Sequence, residues 1–370
     1  MTNSAFNNNI NGEIKMSQSQ EVNHDKLMDL FGNVFSQISG AMGLMMSYLG
    51  DQTGLYKKIE ELGSCNAKSL AEVTDMDERY LQEWLSSNAA HGYISYDAGS
   101  EEFSLTPEQA VVFCREGEPQ CLQGLIQGVI GQIAKEDVAL DVFKTGRGRP
   151  WSEHHVCCFC GTDRFFRPAY VSHLVNEWIP SIEGAEEKLK AGGKVADIGC
   201  GLGSTTILMA ETYPNSQIFG YDFHEPSIKE AQERADEKGL TNITFKVADS
   251  KDIFEKDFDL ACIFDALHDM GDPVGVASGI KDILNEDGRF MLVEPYAEDK
   301  LEDNLTPASA MMYSFSTLIC VPTSRAQDVA LCLGAQAGPK RLKKVLNEAG
   351  FDKVRISDST TSNLVFEALK

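Results

Sequence analysis

The spacing of hydrophobic positions changes once along the chain, near residue 192, and the change predicts two kinds of architecture. From His24 to Gly50, apolar residues recur three and four positions apart, which is the period of a helix with one apolar face. This stripe consists of Leu27, Leu30, Phe31, Val34, Phe35, Ile38, Met42, Met45 and Met46. The stripe is rich in methionine and nearly free of charge, so we expect it to bury against its own domain or against a partner chain.

The next segments have the order of a winged helix, in which helices precede an alternating hairpin. The helices are expected at Leu55–Leu62, Ser69–Val73 and Glu78–His91, and the strands at Tyr93–Tyr96 and Phe103–Leu105. The segment Asp77–Trp84, in the position of a recognition helix, has more acidic than basic residues. A helix that reads a DNA groove needs the reverse, so we interpret this unit as a dimerisation or lid module. A further helical stretch is expected from Pro119 to Phe143.

After Gly192, short apolar runs alternate with helical segments, which predicts a doubly wound α/β sheet. The predicted strands are Lys194–Ile198, Gln217–Tyr221, Ile243–Val247, Phe258–Phe264, Arg289–Val293, Lys353–Ile356 and Asn363–Ala368. The predicted helices are Ser204–Tyr213, Pro226–Lys238, Pro273–Leu284 and Pro339–Ala349.

The composition of the chain indicates which kinds of partner and which cellular compartment to expect. The formal net charge of −23 disfavours nucleic acid, because Lys and Arg supply most of the affinity for phosphates. Ten cysteines without a secretory signal favour reduced thiols and a cytoplasmic location, and no apolar run is long enough to predict a membrane span. The polar start of the chain predicts a disordered tail. The expected divisions are a tail at 1–23, a winged-helix dimerisation domain at 24–115, a helical linker and active-site lid at 116–185, and a sheet domain at 186–370.

A glycine-rich turn follows the first predicted strand of the sheet domain. The run Asp197-Ile198-Gly199-Cys200-Gly201-Leu202-Gly203 lets the backbone turn sharply and lets a ligand approach without a Cβ in the way. Asp222 and Asp249 end the next two strands, where ligands of open α/β sheets bind. The run departs from the Gly-x-Gly-x-x-Gly of nicotinamide dinucleotide sites.

These features resemble the motifs of class I S-adenosylmethionine-dependent methyltransferases, over about Val195 to Lys370. The resemblance implies a Rossmann-like seven-stranded sheet with a reversed last strand and S-adenosylmethionine as methyl donor. It further implies that Asp197, Gly199 and Gly201 hold the methionine end, Asp222 the ribose, and Asp249 and Ser250 the adenine, and that Gly203 belongs to the same cofactor-binding turn. Phe223 is expected to stack on the adenine.

The fourth strand ends in "FDALHDMGDP", which is similar to the His-Asp-Trp-x-Asp segment of small-molecule O-methyltransferases, with Met270 in place of the tryptophan. The resemblance implies that His268 is the general base and Glu294 its orienting acid, and it places Asp265 beside the cofactor. Those enzymes carry an N-terminal winged-helix dimerisation domain, so the resemblance also implies a homodimer. A solvated histidine beside an acid is the alternative.

The segment "EHHVCCFC" contains His154, His155, Cys157, Cys158 and Cys160. Its spacing suits a tetrahedral metal, but the other cysteines are scattered singly and offer no second ligand pair. We therefore predict no metal site. We interpret the segment as a lid over the acceptor pocket, with His154 or His155 as a second candidate base.

The acceptor is not specified by the sequence. Candidate pocket residues are Trp151, His154, His155, Phe165, Phe166, Tyr296, Met312, Tyr313 and Phe315. Convergence of two or more of Arg147, Arg149, Arg164, Arg167 and Arg325 on the pocket would favour a carboxylate-bearing substrate, whereas ion pairing is their more ordinary role. The resemblance of the His268-Asp269 segment to small-molecule O-methyltransferases favours O-methylation of a small molecule. S- or N-methylation of a thiol, thioether or amine, or a cofactor-sensing winged-helix regulator, are the alternatives.

Overall fold

The computed structural model describes residues 21–253 and 255–370. Residues 1–20 of the predicted tail lie outside the described part of the chain. None of the described helices is long and apolar enough to cross a membrane.

The N-terminal part combines helices with a small antiparallel sheet, as the winged-helix pattern predicts. Its helices are α1 (His24–Gln52), α2 (Leu55–Leu62), α3 (Ala67–Thr74), α4 (Glu78–Ala90) and α5 (Pro107–Phe113). The strands β1 (Ser64–Cys65), β2 (Ser95–Asp97) and β3 (Glu102–Ser104) pair in the order β1-β3-β2. The sequence analysis missed β1, because two residues are too few to show a period.

Helix α1 has two halves with different surroundings. In the second half, Gly50 packs against Trp84, and the Trp84 indole donates a hydrogen bond to the carbonyl of Met46. In the first half the apolar stripe faces outward, and Phe31 and Phe35 are 62% and 63% exposed. Of the two burial modes considered above, burial against its own domain is therefore wrong for the first half of the helix.

Five helices connect the winged helix to the sheet: α6 (Gln123–Ile133), α7 (Glu136–Thr145), α8 (Val156–His173), α9 (Ile179–Ser181) and α10 (Ala185–Ala191). The single helical stretch predicted at 119–143 is wrong, because Lys135 (φ −130°, ψ 34°) breaks it between α6 and α7. Glycines bring α6 and α8 together. A Cβ on Gly161 would lie 2.5 Å from the backbone nitrogen of Gly128, so the two helices touch through their backbones.

The C-terminal part is a seven-stranded sheet in the order β6-β5-β4-β7-β8-β10-β9. Its strands are β4 (Lys194–Ile198), β5 (Gln217–Asp222), β6 (Ile243–Val247), β7 (Phe258–Phe264), β8 (Leu284–Pro295), β9 (Lys353–Ser359) and β10 (Asn363–Leu369). The first five run parallel, and β10 is antiparallel to both β8 and β9. All seven predicted strands are confirmed. The largest difference is that β8 begins at Leu284, five residues before its predicted start.

Helices cover the sheet: α11 (Ser204–Thr212), α12 (Glu225–Glu237), α13 (Pro273–Ile283), α14 (Pro307–Phe315), α15 (Val321–Arg325) and α16 (Pro339–Glu348). The central strands are buried on both faces, as Val195, Ala196 and Ile263 illustrate with no exposed surface. The carboxyl ends of the parallel strands therefore meet at one edge of a rigid core, and the linker helices approach that edge.

Candidate active site

The glycine-rich turn after β4 is conformationally demanding. Gly199, Gly201 and Gly203 have φ values of 75°, 53° and 79°, in the left-handed region that favours glycine. Gly199 and Gly201 line a cleft at the strand ends. Gly203 is not among its lining residues, and a Cβ there would lie 2.7 Å from the Phe245 ring, so its role is close packing.

Asp197, near the end of β4, connects this turn to the start of the helix that follows it. Its Oδ2 accepts hydrogen bonds of 2.6 Å from the hydroxyls of both Thr205 and Thr206, at the start of α11. Burial raises the pKa of this carboxyl to about 6, although the two hydroxyls lower it. Its Oδ1 is buried without a hydrogen-bond partner among the described residues. Asp197 thus fixes the loop, and like Gly203 it is not itself among the residues that line the cleft.

Acids end the next two strands on the same cleft, as predicted. The Asp222 carboxylate accepts hydrogen bonds from the backbone of Gly201 (2.9 Å) and of His224 (2.8 Å), and burial raises its pKa. Asp249 and Ser250 follow β6, and Phe223 is 55% exposed beside Asp222. The structure brings all four to the lining of the cleft.

Helix α8 closes the cleft from the opposite side, and sequence reasoning missed its contribution. Asp163 lines the cleft and accepts hydrogen bonds from the Ser204 hydroxyl, from Arg167 (2.7 Å) and from Arg234 (3.0 Å). Because Ser204 begins α11 directly after the glycines, Asp163 ties the linker helix to the glycine loop. Ser204 and Arg234 lie 41 and 71 residues away along the chain, so no local pattern could have indicated this role.

Tyr170, also on α8, was missed as well. Its hydroxyl donates a 2.8 Å hydrogen bond to Asp265, and Asn363 donates another of 2.8 Å to the same carboxylate. Asp265 adopts a φ of 50° at the end of β7, and burial raises its pKa to about 8. It lines the cleft, as the sequence analysis expects.

His268 lies in a short helical turn just after β7 and is 4% exposed. Its Nδ1 donates a 2.5 Å hydrogen bond to Oε2 of Glu294, at the end of β8. Its Nε2 lies 3.4 Å from Oδ1 of Asp269. Burial opposes a charge on the ring, but Glu294 and Asp269 more than offset it and hold the pKa of His268 well above its ordinary value.

Cys320 lies beside this histidine, a contact that no local sequence pattern indicates. Its Sγ, a ring nitrogen of His268 and a carboxylate oxygen of Asp269 lie within 4.8 Å of one another. The sulfur comes from a helical turn 51 or more residues away in the chain, so only the fold brings it here.

A second cavity adjoins the cleft. His268 and Asp269 line it, together with a mainly apolar wall that includes Trp151, Cys158, Phe165, Phe166, Met312 and Phe315. Trp151, Thr162, Phe166, Asp265 and Asp269 line both spaces. The two cavities therefore meet at a junction formed by Asp265 and Asp269.

The comparisons with known proteins agree with this geometry. Residues 189–350 match the family described as "Methyltransferase domain", and residues 40–115 match the "Rv2258c-like winged HTH domain". The chain carries a methyltransferase domain behind a winged helix.

Curated relatives match parts of the methyltransferase domain. An uncharacterised methyltransferase of Bacillus subtilis is 31% identical over 117 residues, which is 31% of this chain and 46% of that protein. The aklanonic acid methyltransferase of a Streptomyces species is 33% identical over 107 residues, 28% of this chain and 49% of that protein. The chain thus spans about half the length of these relatives.

Solved structures resemble the whole chain. Human N-acetylserotonin methyltransferase, solved in complex with S-adenosylmethionine, has a TM-score of 0.68 at 15% identity, over 96% of this chain and 99% of that one. An O-methyltransferase family protein of Burkholderia thailandensis has a TM-score of 0.68 at 14% identity, over 94% of this chain and 98% of that one. At these identities the likeness shows the fold.

The segment "EHHVCCFC" forms the entry to helix α8. His154 is buried, with Nε2 3.3 Å from the Thr323 hydroxyl, and burial lowers its pKa to about 3. His155 caps α8 by accepting a hydrogen bond from the backbone of Cys157. Neither histidine lines the two cavities, so the structure gives no support to them as bases.

The three cysteines of this segment have different surroundings. Cys157 lies 3.2 Å from the Tyr48 hydroxyl, Cys158 lines the second cavity, and Cys160 faces the space between the winged helix and the methyltransferase domain. Within residues 21–253 and 255–370, the segment does not gather three ligand atoms close enough to share an ion.

The arginines mostly take their ordinary role. Arg147 pairs with Asp141 (2.5 Å), Arg164 with Asp51 (2.8 Å) and Arg167 with Asp163 (2.7 Å). Arg325 is exposed at the end of α15. The predicted pocket residues Tyr296 and Tyr313 also lie outside the lining of both cavities, so the acceptor space is lined by rings and sulfur rather than by convergent arginines.

Proposed function

We propose that this protein is an S-adenosylmethionine-dependent methyltransferase that methylates a hydroxyl group of a small molecule. The observation that carries the proposal is the junction of the two cavities at Asp265 and Asp269. A methyl donor in the cleft and an acceptor in the second cavity would meet there, with His268 on the acceptor side. Alignment of this kind supplies much of the rate of an in-line displacement.

The residues of the cleft fit the cofactor. The glycine turn presents backbone without side chains, Asp222 and Asp249 offer acceptors at two strand ends, and Oδ1 of Asp197 is a buried acceptor without a partner. On this basis Asp197, Gly199 and Gly201 would hold the amino acid end and Asp222 the ribose hydroxyls. Asp249, Ser250 and Phe223 would surround the adenine. When bound, the cofactor supplies an electrophilic methyl group on a sulfonium.

His268 would accept the acceptor's proton at Nε2. Glu294 fixes the ring by accepting the Nδ1 proton, which leaves Nε2 as the atom that faces Asp269 and the second cavity. The apolar walls exclude water, which strengthens these charge interactions. Because a base matters more for a hydroxyl than for a thiolate or a neutral amine, the His268–Glu294 pair favours oxygen over sulfur or nitrogen.

The chain would act as a homodimer. Helix α1 exposes Leu30, Phe31, Phe35, Ile38 and Met42, each more than 60% exposed, along one face. Such a continuous apolar face is typical of an interaction surface, and a second copy offers the same face. Under this proposal each part of the chain has its own role: residues 24–115 form the dimer, residues 116–185 cover the acceptor and residues 186–370 bind the cofactor.

The unpaired cysteines are consistent with a cytoplasmic location. All ten cysteines are free, including buried ones such as Cys65, Cys158 and Cys262. Unpaired thiols are typical of a reducing compartment.

Titration calorimetry with S-adenosylmethionine and S-adenosylhomocysteine tests the cofactor. We expect binding to the wild type and a loss of at least tenfold in Asp222→Ala. Asp236→Ala, an exposed acid on α12, is the control and should bind normally. Absence of binding, or equal binding by Asp222→Ala, would refute the proposal.

A methyl-transfer assay across matched hydroxyl, thiol and amine acceptors then identifies the atom that is methylated. Turnover confined to thiols or amines would overturn the assignment to oxygen.

A further inference from the structure

Arg149 differs from the other arginines because it is buried without an acidic partner. It is 1% exposed, and no carboxylate oxygen of the described residues lies within 4.0 Å of its guanidinium. Its nearest acceptors are Oε1 of Gln132 at 3.5 Å and the carbonyl of Glu153 at 3.4 Å, both longer than ordinary hydrogen bonds. The Glu153 carboxylate faces Arg147 instead. An arginine stays charged even when buried, so this cation has no carboxylate in direct contact.

The backbone holds Arg149 firmly in this position. A Cβ on Gly148 would lie 2.2 Å from the backbone nitrogen of Ala326, so the turn fits tightly against the end of α15. The backbone nitrogen of Arg149 donates a 2.9 Å hydrogen bond to the carbonyl of Pro322. The guanidinium is therefore placed by the fold rather than by a flexible loop.

Two more buried donors surround the guanidinium. Nε of Arg149, Nε2 of Gln132 and Nδ1 of His154 all lack a hydrogen-bond partner within the described residues. The positive charge of Arg149 adds to burial in lowering the pKa of His154. In the tautomer in which the Thr323 hydroxyl donates to Nε2, the His154 ring carries its proton on Nδ1 and is a third donor. Three unsatisfied donors, one of them cationic, call for an anion.

This cluster lies behind one wall of the acceptor cavity. None of Arg149, Gln132 and His154 lines the cavity itself. The His154 ring lies 5.6 Å from the ring of Trp151, which lines the cavity, and Gln132 follows Gly131, which packs against the backbone of Cys158. The cavity has a volume of about 70 Å³. Ligand pockets ordinarily measure about 300 Å³ or more, so the cavity must widen when an acceptor binds. Movement of Cys158 and Trp151 would open it toward the unsatisfied donors.

We propose that Arg149, Gln132 and His154 form an anion-binding subsite of the acceptor pocket that takes a carboxylate of the acceptor. This assignment rests on the proposed function and names the class of its substrate as hydroxy acids. The carboxylate would pair with the guanidinium and accept from the two neutral donors, while the hydroxyl group lies at His268. It also gives a function to His154, which lines neither cavity.

Equilibrium binding tests the subsite without requiring turnover. Calorimetry in the presence of S-adenosylhomocysteine would compare hydroxybenzoates and hydroxynaphthoates with their carboxamides, which keep the shape and lose the charge. We expect the wild type to bind the carboxylates at least tenfold more tightly. Arg149→Met should lose this preference, and Arg147→Met, which removes a surface arginine two residues away, should keep it.

Two further experiments are needed, one in case Arg149→Met does not fold and one to test whether a free anion binds the subsite. If Arg149→Met does not fold, Gln132→Leu should reduce the preference while S-adenosylhomocysteine still binds. Acetate and chloride titrations of the thermal unfolding midpoint show whether a free anion suffices. Equal binding of acids and amides by the wild type, a preference retained in Arg149→Met, or stabilisation by free anions alone would each overturn the proposal. Because S-adenosylhomocysteine binding is measured separately, its loss would count against the methyltransferase assignment and not against the subsite.

Discussion

His268 and Glu294 come from the ends of neighbouring parallel strands and meet through a 2.5 Å hydrogen bond from Nδ1 to Oε2, with both side chains almost completely buried. The backbone nitrogen of His268 lies 3.3 Å from the other oxygen of Glu294. The carboxylate thus fixes both the position and the tautomer of the ring. Since Asp269 adds a second acid near Nε2, the pKa of His268 is raised well above its ordinary value.

This pair predicts the pH dependence of methyl transfer. A base must be unprotonated to accept a proton, and the pKa of His268 is raised by Glu294 and Asp269 against the effect of burial. The acidic limb of kcat/KM should therefore lie above the ordinary histidine value. Glu294→Gln removes the carboxylate charge, so the limb should move to lower pH while kcat falls about tenfold to a hundredfold.

The measurement is a pH–rate profile of both proteins over the same buffers. Asp287→Asn, a change of a surface acid that pairs with Lys188, is the control and should leave the profile unchanged. An acidic limb that stays in place in Glu294→Gln would show that another group controls the proton.

The two histidine candidates of the sequence analysis should separate clearly. His268→Asn should lower kcat by about a hundredfold or more while S-adenosylhomocysteine binds normally, because the ring lines the acceptor cavity and not the cofactor cleft. His154→Asn should instead change the KM for a carboxylate acceptor more than kcat. Steady-state kinetics with calorimetry of the product complex measures both. A larger loss of kcat in His154→Asn would reverse the assignment.

The sequence predicted the sheet and the cofactor cleft well, and the reason is local. Strands buried on both faces leave continuous apolar runs, and a ligand at their carboxyl ends requires glycines and acids at those ends. Asp222, Asp249 and His268 could be found because each follows directly on such a run. Their positions in three dimensions follow from the parallel topology alone.

The lid could not be predicted in the same way. His154 was predicted as a second candidate base after His268. Its surroundings include Thr323 from a distant segment, and only the folded chain shows that it lies outside the lining of both cavities. Asp163 and Tyr170 were missed because their partners, Ser204 and Asp265, lie on the sheet domain. Contacts between distant segments leave no periodic trace in a sequence.

The glycine contact between α6 and α8 predicts a sensitive position outside the chemistry. In Gly161→Ala the new methyl group would lie 2.5 Å from the Gly128 nitrogen and 2.8 Å from the Gly124 carbonyl oxygen, and backbone cannot move aside as a side chain can. We expect a loss of about 1–3 kcal/mol in the free energy of unfolding, as for other overpacked sites.

Gly279→Ala is the matched control, since this glycine lies within α13 with nothing within 4 Å of the added carbon. That change should be neutral or stabilise by about 0.5–1 kcal/mol. Urea unfolding of the three proteins measures both, and equal stability of Gly161→Ala would contradict the packing.

Helix α1 predicts how the oligomer responds to charge. Phe35 and Ile38 are 63% and 61% exposed on the apolar face, whereas Asn33 lies roughly opposite on the same helix. A glutamate at Phe35 or Ile38 would put a charge into a dimer interface and should weaken association by at least tenfold, because a buried charge without a partner is costly. Asn33→Glu adds the same charge outside that face and should leave the dimer intact.

Sedimentation equilibrium over a range of concentrations distinguishes the three proteins. Since the buried part of α1 begins at Gly43, the variants should keep the fold and the unfolding midpoint of the sheet domain. A wild type that is monomeric at all concentrations would contradict the homodimer, and equal dissociation of Phe35→Glu and Asn33→Glu would move the interface to another face.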